Sequence, residues 1–93
     1  MTRAIVWSDE ALDDFDSAIT YIATDSKRSA SLVADRIEAA IKALAAMPTG
    51  RPGRVAGMYE KPVSRTPYLI AYSLSDHAIR IARIIHGARD FKP

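Results

Sequence analysis

The sequence predicts an α+β fold in which a two-helix hairpin packs on an antiparallel sheet. Residues Tyr68–Leu74 and 78–85 are rich in β-branched and aromatic side chains at a period of two, which is typical of strands. Residues 75–77, Ser-Asp-His, supply the turn between them, because Ser and Asp hydrogen-bond their own backbone in turns. Two helical stretches and a short apolar segment precede this hairpin. The predicted order is therefore β-α-α-β-β-β in a single domain, residues 1–93.

The chain opens with a predicted strand, Ala4–Trp7, which we expect to join the sheet. Ser8 then offers an N-cap for the first helix, and Asp9 and Glu10 fall in its first turn, where the helix dipole favours acids. The predicted helix covers residues 9–23, and its apolar positions recur at helical spacing: Leu12, Phe15, Ile19 and Ile22, with Ala11 and Ala18 beside them. The opposite face is polar and is interpreted as solvated; it carries Asp13, Asp14, Asp16, Ser17 and Thr20.

The second predicted helix starts near Ser26 or Ser29 and is stopped by Pro48. Its apolar stripe consists of Val33, Ile37, Ala40, Ile41 and Leu44. Because alanines elsewhere on the helix allow close approach and the connection is short, the two helices should form an antiparallel hairpin.

Residues 48–54 form a predicted loop with two prolines, two glycines and two arginines. The loop is either a turn with charged flanks or a mobile basic loop that contacts an anionic ligand. It is not a phosphate-binding P-loop, because no Gly-Lys-Ser/Thr follows. The weaker strand that comes next, residues 55–63, contains Pro62, which cannot donate a ladder hydrogen bond. We therefore expect this strand to be an edge strand or bulged at the proline.

The last predicted strand is apolar on both faces and should lie centrally in the sheet, largely covered. Strict alternation places Ile79, Ile81 and Ile85 on one face and Ala82 and Ile84 on the other.

Composition narrows the functional classes. The chain has no cysteine and two histidines, which argues against a disulfide framework, a thiolate zinc site or another metal site. No apolar run reaches the roughly 18 residues of a membrane span and no signal peptide opens the chain, so we expect a cytoplasmic protein.

Residues 1–46 carry a net charge of −3 and residues 47–93 a net charge of +5. The basic half suggests an acidic partner, either nucleic acid or an acidic protein segment; ordinary surface solvation is the alternative.

A set of residues spread along the chain resembles a known family. In order, these are Trp7, Tyr21-Ile22-Ala23, Leu44 with Pro48, the segment GRPGR at 50–54, Glu60, Pro67-Tyr68 with Tyr72, and IARIIHGARD at 81–90. The ordered set resembles the RelE/ParE superfamily of small bacterial toxins from type II toxin–antitoxin systems, and it looks closest to the ParE branch. The resemblance covers almost the whole chain.

The resemblance implies one of two activities. RelE-like members cut messenger RNA on the ribosome, whereas ParE-like members poison DNA gyrase without cutting RNA. RelE-like toxins typically carry arginine just after the tyrosine of the third strand, often arginine after the final-strand histidine, and tyrosine in the tail. This chain has Leu69, Gly87 and Phe91 at those places. Because leucine cannot stabilise a phosphorane and phenylalanine has no proton to give, the resemblance favours the ParE branch.

If the chain were a nuclease, its candidate catalytic residues would be Glu60, Arg65, Arg83 and His86. Glu60 or His86 would act as base and the arginines as a clamp on the phosphate. In the structural alternative, Glu60 and Arg83 pair across adjacent strands and His86 ends its strand by a backbone contact. His77, in the turn, is interpreted as solvated.

The function implied by the resemblance is a ParE-like toxin that inhibits DNA gyrase by binding, is not an enzyme itself, and is neutralised in a hetero-oligomer with a cognate ParD-like antitoxin. The alternatives are a RelE-like ribosome-dependent mRNA endonuclease and an inactive toxin fold that retains antitoxin binding. No cofactor or metal is expected, and direct binding to nucleic acid stays open. The target-binding candidates are Arg51, Arg54, Arg65, Arg83, His86 and Arg89.

Overall fold

The computed structural model describes residues 2–90, the last two by their backbone alone, and it has two long helices on one face of a five-stranded sheet. The elements are β1 (Ala4–Trp7), α1 (Asp9–Asp25), α2 (Lys27–Ala46), β2 (Arg51–Pro52), β3 (Tyr59–Pro62), β4 (Tyr68–Leu74), β5 (Ala78–His86) and α3 (Gly87–Asp90). The strand order is β1-β5-β4-β3-β2. Strand β1 runs parallel to β5, and the other neighbours are antiparallel.

The predicted α+β fold is confirmed, with four differences in detail. The sheet is mixed, because β1 lies parallel to β5, the last strand of the chain, while the helical hairpin carries the chain from β1 to β2 at the opposite edge. The predicted loop at 48–54 contains the two-residue strand β2, and the weak strand predicted over 55–63 shortens to β3, which ends at Pro62. A short helix, α3, follows β5.

One serine connects the two long helices. The Ser26 N–H donates to the Ile22 carbonyl (3.0 Å) and ends α1, while its side-chain oxygen accepts from the Ser29 N–H (3.1 Å) and begins α2. This shared cap produces the predicted helical hairpin with a single connecting residue.

A β-bulge in β5 changes which isoleucines enter the core. The register pairs Tyr72 with Ile81 but Ala71 with Arg83, so Ala82 is the additional residue. Strict alternation therefore fails after Ile81. Ile84 is 4% exposed and joins the core with Ile79 and Ile81, which corrects the predicted assignment of Ile84 and Ile85 to the two faces.

One residue of the apolar face predicted for α1, Leu12, lies outside the core. Leu12 is 45% exposed, whereas Ala11 and Ala18 are buried, because α1 lies close enough to the sheet for small residues to make the contact. Phe15 and Ile22 do pack against the core, as predicted.

Tyr72 holds the loop after α2 against the sheet. Its side chain is fully buried, and its hydroxyl accepts a hydrogen bond from the Gly50 N–H (2.9 Å). A Cβ at Gly50 would lie 2.8 Å from two ring carbons of Tyr72, so only glycine fits here. Burial raises the pKa of the Tyr72 hydroxyl above its ordinary value; the Gly50 hydrogen bond opposes that rise, and neighbouring Tyr59 adds to it.

We expect Tyr72→Phe to lower the free energy of unfolding by about 1 kcal/mol near neutral pH, since it leaves the Gly50 N–H without this acceptor. Because the pKa of Tyr72 is raised in the folded state, its contribution is fully present below about pH 10, the unfolded value, and is lost as pH rises above it. The Phe variant should therefore lose less stability than wild type as the pH rises above about 10 in urea titrations.

Tyr59→Phe is the matched control. It keeps a ring stacked on Tyr72 (centroids 5.6 Å apart) and leaves the Gly50 bond intact, so it should be near neutral at about pH 7. Equal stability of the two variants at neutral pH would contradict the role given to the Tyr72 hydroxyl.

Candidate functional site

The seam between α1 and β5 begins where β1 ends. The last register pair of β1 and β5 is Trp7–Ile81. Beyond it, Ser8 donates its N–H to the Ile81 carbonyl (2.9 Å) and its hydroxyl to the Ala82 carbonyl (2.8 Å). The same hydroxyl accepts from the Ala11 N–H (3.0 Å) as the N-cap of α1. Ser8 is buried and thus joins the start of the helix to the bulge of β5.

Asp14 makes the second connection across this seam. One carboxylate oxygen accepts from the Arg83 Nε (2.7 Å) and from the backbone N–H of Ile84 (3.0 Å), and the other accepts from the Arg83 Nη2 (3.1 Å). The pair is bidentate, the strongest geometry for a carboxylate and a guanidinium. The Asp14 side chain is 19% exposed and that of Arg83 is 54% exposed. The hydrogen bond from the Ile84 N–H to Asp14 is therefore better shielded from solvent than the ion pair with Arg83.

Two sequence interpretations are corrected by this geometry. Asp14 does not belong to a simply solvated face. Arg83 does not pair with Glu60 across adjacent strands, because β4 lies between β3 and β5 and Asp14 holds the guanidinium.

A cleft of about 350 Å³ lies along the seam, lined by Asp14, Ser17, Tyr21, Tyr68, Arg83 and His86. His86 is paired in register with Tyr68, and their rings meet edge to face with centroids 5.3 Å apart. The structure therefore brings together two of the predicted site residues, Arg83 and His86. The α1 residues of this cleft were not predicted as site residues, although the polar spacing of 14, 17 and 21 is that of one helix face.

Glu60 lies on the other side of the sheet. Tyr59 stacks on the buried Tyr72, so the next residue of β3, Glu60, faces away from the helices. Its carboxylate is buried and accepts from the Arg54 N–H (3.2 Å). His86 shares the helix-covered face with Tyr68, a core residue. The structure therefore does not assemble Glu60 and His86 around one point.

The other basic candidates are separate from the cleft lining. Arg51 and Arg54 are exposed in and after β2. Arg65 is exposed in the turn before β4 at a positive φ of 62°, and its carbonyl accepts from Arg36 Nη1 (3.3 Å). The Arg89 side chain and Phe91 lie outside the described residues, so their predicted roles stay predictions.

Two of the three positions that distinguish the RelE and ParE branches, Leu69 and Gly87, lie within the described residues. Leu69 is buried and pairs in register with Pro62 and Ile85. Gly87 donates its N–H to the Pro67 carbonyl (2.8 Å), and a Cβ there would meet that oxygen at an ordinary 3.5 Å. His77 is exposed in the β4–β5 turn, as predicted.

A second concave surface, the β1 groove, lies between the two helices and β1. It encloses about 350 Å³ and is lined by Ile5, Trp7, Leu12, Phe15 and Ile41, with Asp16, Glu38 and Lys42 at its rim. Trp7 and Phe15 pack edge to face (5.5 Å) in its lining. Leu12 and Ile5 remain 45% and 37% exposed, so the groove presents apolar surface to solvent.

Within residues 2–90, no cluster of three or more His, Asp or Glu side chains is placed to bind a metal ion. None of the described helices is long and apolar enough to cross a membrane.

Comparison with known proteins places these features in context. A model of the family described as the ParE toxin of the type II toxin–antitoxin system parDE matches residues 5–91. Toxin RelE2 of Caulobacter vibrioides is 35% identical over 86 residues, which are 91% of this chain and 96% of that protein. Y4kP of Sinorhizobium fredii, which is named as a toxin, is 35% identical over 91% of this chain and 88% of its own. A chain of the chromosomal ParDE system from P. aeruginosa superposes with a TM-score of 0.81 at 22% identity, covering 91% of this chain and 96% of that chain.

We expect Asp14→Ala to lower the free energy of unfolding by about 1–3 kcal/mol, because it leaves the Ile84 N–H and the Arg83 guanidinium without their acceptor. Asp16→Ala removes an exposed acid from the same helix and should change stability by no more than about 0.5 kcal/mol. Chemical denaturation of both variants measures the difference. Equal stabilities would mean that the Asp14 contacts contribute nothing to the fold.

Proposed function

We propose that this chain, which belongs to the ParE toxin family of type II toxin–antitoxin systems, arrests growth by binding DNA gyrase and is neutralised by a cognate antitoxin. In this proposal the toxin is a binding protein, and the breakage and rejoining of DNA remain the chemistry of gyrase.

The separation of Glu60 and His86 on opposite faces of the sheet is the observation that carries the proposal. Metal-free RNA cleavage needs a base at the 2′-hydroxyl, an acid at the leaving oxygen and cations on the phosphorane, all within hydrogen-bond reach of one phosphate. A carboxylate on the helix-free face and an imidazole on the helix-covered face cannot meet that requirement together. Leu69 is a second argument against RNA cleavage, because an apolar side chain stands at the position where RNA-cutting relatives carry a cation.

The β1 groove supports the antitoxin part of the proposal. A compact toxin that leaves Leu12 and Ile5 partly exposed beside an aromatic pair offers a site in which a disordered partner segment can fold. Occupation of the groove would also stabilise the toxin by mass action.

Ribosome-dependent cleavage of messenger RNA is the second candidate function. Two observations favour it: Arg83 and His86 line one cleft, and one relative at 35% identity is named toxin RelE2. A toxin fold that keeps antitoxin binding alone would differ from both candidates, because its induction would not arrest growth.

Assays with purified components distinguish the two candidate activities, inhibition of gyrase and ribosome-dependent cleavage of messenger RNA. We expect the wild-type protein to inhibit supercoiling by gyrase or to trap cleaved DNA, and to leave ribosome-bound messages intact. His86→Ala should then retain most of this inhibition. Codon-periodic cutting of translated messages by the wild type, reduced about 10²- to 10⁴-fold by His86→Ala, would replace gyrase with the ribosome as the target.

The basic residues around β2 provide a test of the target surface. The double charge reversal Arg51→Glu with Arg54→Glu should relieve growth arrest, because an acidic partner surface would then be repelled. Both side chains are exposed. Circular dichroism and thermal melting check that the double variant keeps the fold, because the Arg54 N–H also donates to the Glu60 carboxylate.

The matched control is Lys27→Glu with Arg28→Glu, which makes the same change in net charge in the first turn of α2, where acids are favoured. If both double variants keep full toxicity while folded, Arg51 and Arg54 are solvated surface residues and do not contact the target.

A further inference from the structure

A third concave surface, the β3 groove, lies between α2 and the edge of the sheet at β3. It encloses about 380 Å³. The buried side chains of Leu44 and Val63 line it, and Ala39 and Ala43 line it from the exposed surface of α2. A partner side chain that enters this groove therefore meets mainly apolar atoms.

The β3 groove is also basic. Within residues 2–90, its lining contains two cations, Arg36 and Lys61, and no acid. Lys61 pairs in register with the core residue Ile70, so its side chain leaves β3 on the helix-covered side. Arg36 reaches from α2 to the turn before β4, where its Nη1 donates to the Arg65 carbonyl (3.3 Å). A guanidinium carries five N–H donors, so this bond leaves others for a carboxylate, and the groove favours a partner with acids beside its apolar side chains.

The β3 groove and the β1 groove lie on opposite flanks of α2 and differ in charge. Glu38 and Lys42 border the β1 groove together with Asp16 of α1, whereas Arg36 and Ala40 border the β3 groove. A segment with one sign of charge cannot suit both surfaces. The two grooves therefore select different partner segments, and the proposed function already gives the β1 groove to the antitoxin.

The β3 groove adjoins the arginines predicted to bind the target. Thr49 belongs to its lining and precedes Arg51 by two residues, and β2 pairs directly with β3. At the other end, Ser64 lines the groove and Arg65 follows it. The groove therefore joins two of the predicted target-binding positions into one basic surface.

The backbone of β3 favours a helix as the occupant. Val63 donates its N–H to β4, so by alternation Lys61 also faces β4 and Pro62 faces outward. Because proline has no N–H, this edge is a poor template for an added strand. The alanines of the α2 wall, in contrast, allow a helix axis to approach closely.

Two other occupants fit the groove less well. A two-fold symmetric dimer would bring the basic lining of one copy against that of the other, and like charges repel. Single-stranded nucleic acid binds where bases stack on aromatic side chains, and within the described part of the chain this lining contains none.

From these observations we infer that DNA gyrase binds the β3 groove through an amphipathic helix. Its apolar side chains enter the groove, and its acidic residues contact Arg36 and Lys61. The inference rests on the proposed function and adds to it a docking surface, the kind of segment that fits there, and two residues outside the predicted target-binding set.

Alanine-methyl NMR spectra locate the docking surface. They are recorded for the toxin alone, with purified gyrase, and with the purified product of the adjacent antitoxin gene. We expect gyrase to shift the methyl resonances of Ala39 and Ala43 and to leave that of Ala23, near the end of α1, unchanged. Resonances of Ala39 and Ala43 that respond to the antitoxin and not to gyrase would overturn the inference in favour of the antitoxin as occupant.

A pair of charge reversals tests the electrostatic contact. Lys61→Glu should weaken binding to immobilised gyrase about tenfold at low salt, and less at high salt because salt screens the repulsion. Arg80→Glu makes the same change in net charge at an exposed position of β5. It lies on the other face of the sheet from Ile79 and Ile81, so the affinity should stay within about twofold of wild type.

A second pair tests the α2 wall and keeps the inference testable if Lys61→Glu does not fold. Ala39→Glu places a carboxylate in the groove from an exposed helix position, where substitutions change stability little. It should lower the affinity for gyrase about tenfold. Ser31→Glu adds the same charge at an exposed position of α2 outside the groove lining and should bind like wild type.

The remaining outcomes separate this inference from the proposed function. Wild-type affinity in folded Lys61→Glu and Ala39→Glu would overturn the inference and leave gyrase as the target. Equal losses in the test variants and their controls would show an effect of net charge alone and would overturn it as well. If the wild-type protein does not bind gyrase at micromolar concentrations, the proposed target and the inference both fail.

Discussion

The attachment of α1 to the unpaired half of β5 is the interaction on which most of this structure depends. Because β1 ends opposite Ile81, the rest of β5 would expose backbone groups along one side. Ser8 and Asp14 satisfy two of these groups, the carbonyl of the bulge residue Ala82 and the N–H of Ile84. An unpaired backbone group in a partly buried seam costs about 1–3 kcal/mol, so these two side chains hold the helix, the bulge and the strand end as one unit.

Most of the fold could be predicted because its signals are local. Ser8 and Ser26 are strong N-caps, Pro48 ends a helical pattern, and the alternation of Tyr68–Leu74 is uninterrupted by glycine or proline. The bulge at Ala82 has no such signal, since alanine is compatible with regular strand and bulge alike. Its position is determined by contacts between α1 and β5 that lie about 70 residues apart in the chain, and this is why Ile84 and Ile85 were assigned to the wrong faces.

The candidate site was predicted only in part, for a related reason. Arg83 and His86 lie a few residues apart in one strand, and the structure does bring them to one cleft. Glu60 belongs to a strand two positions away, and its face depends on the pairing register, which composition does not reveal. Asp14 was interpreted as a solvated acid because its partner, Arg83, comes from the far end of the chain.

The hydrogen bond from Gly87 to the Pro67 carbonyl has an evolutionary consequence. Glycine is not required there by the backbone: among the described residues the left-handed glycine is Gly57, and a Cβ at residue 87 would make only an ordinary contact. An arginine side chain could therefore appear after His86 without rebuilding the strand end. The scaffold thus leaves this position open to a larger side chain by a single substitution, so that the charge beside His86 can change in evolution while the fold stays constant.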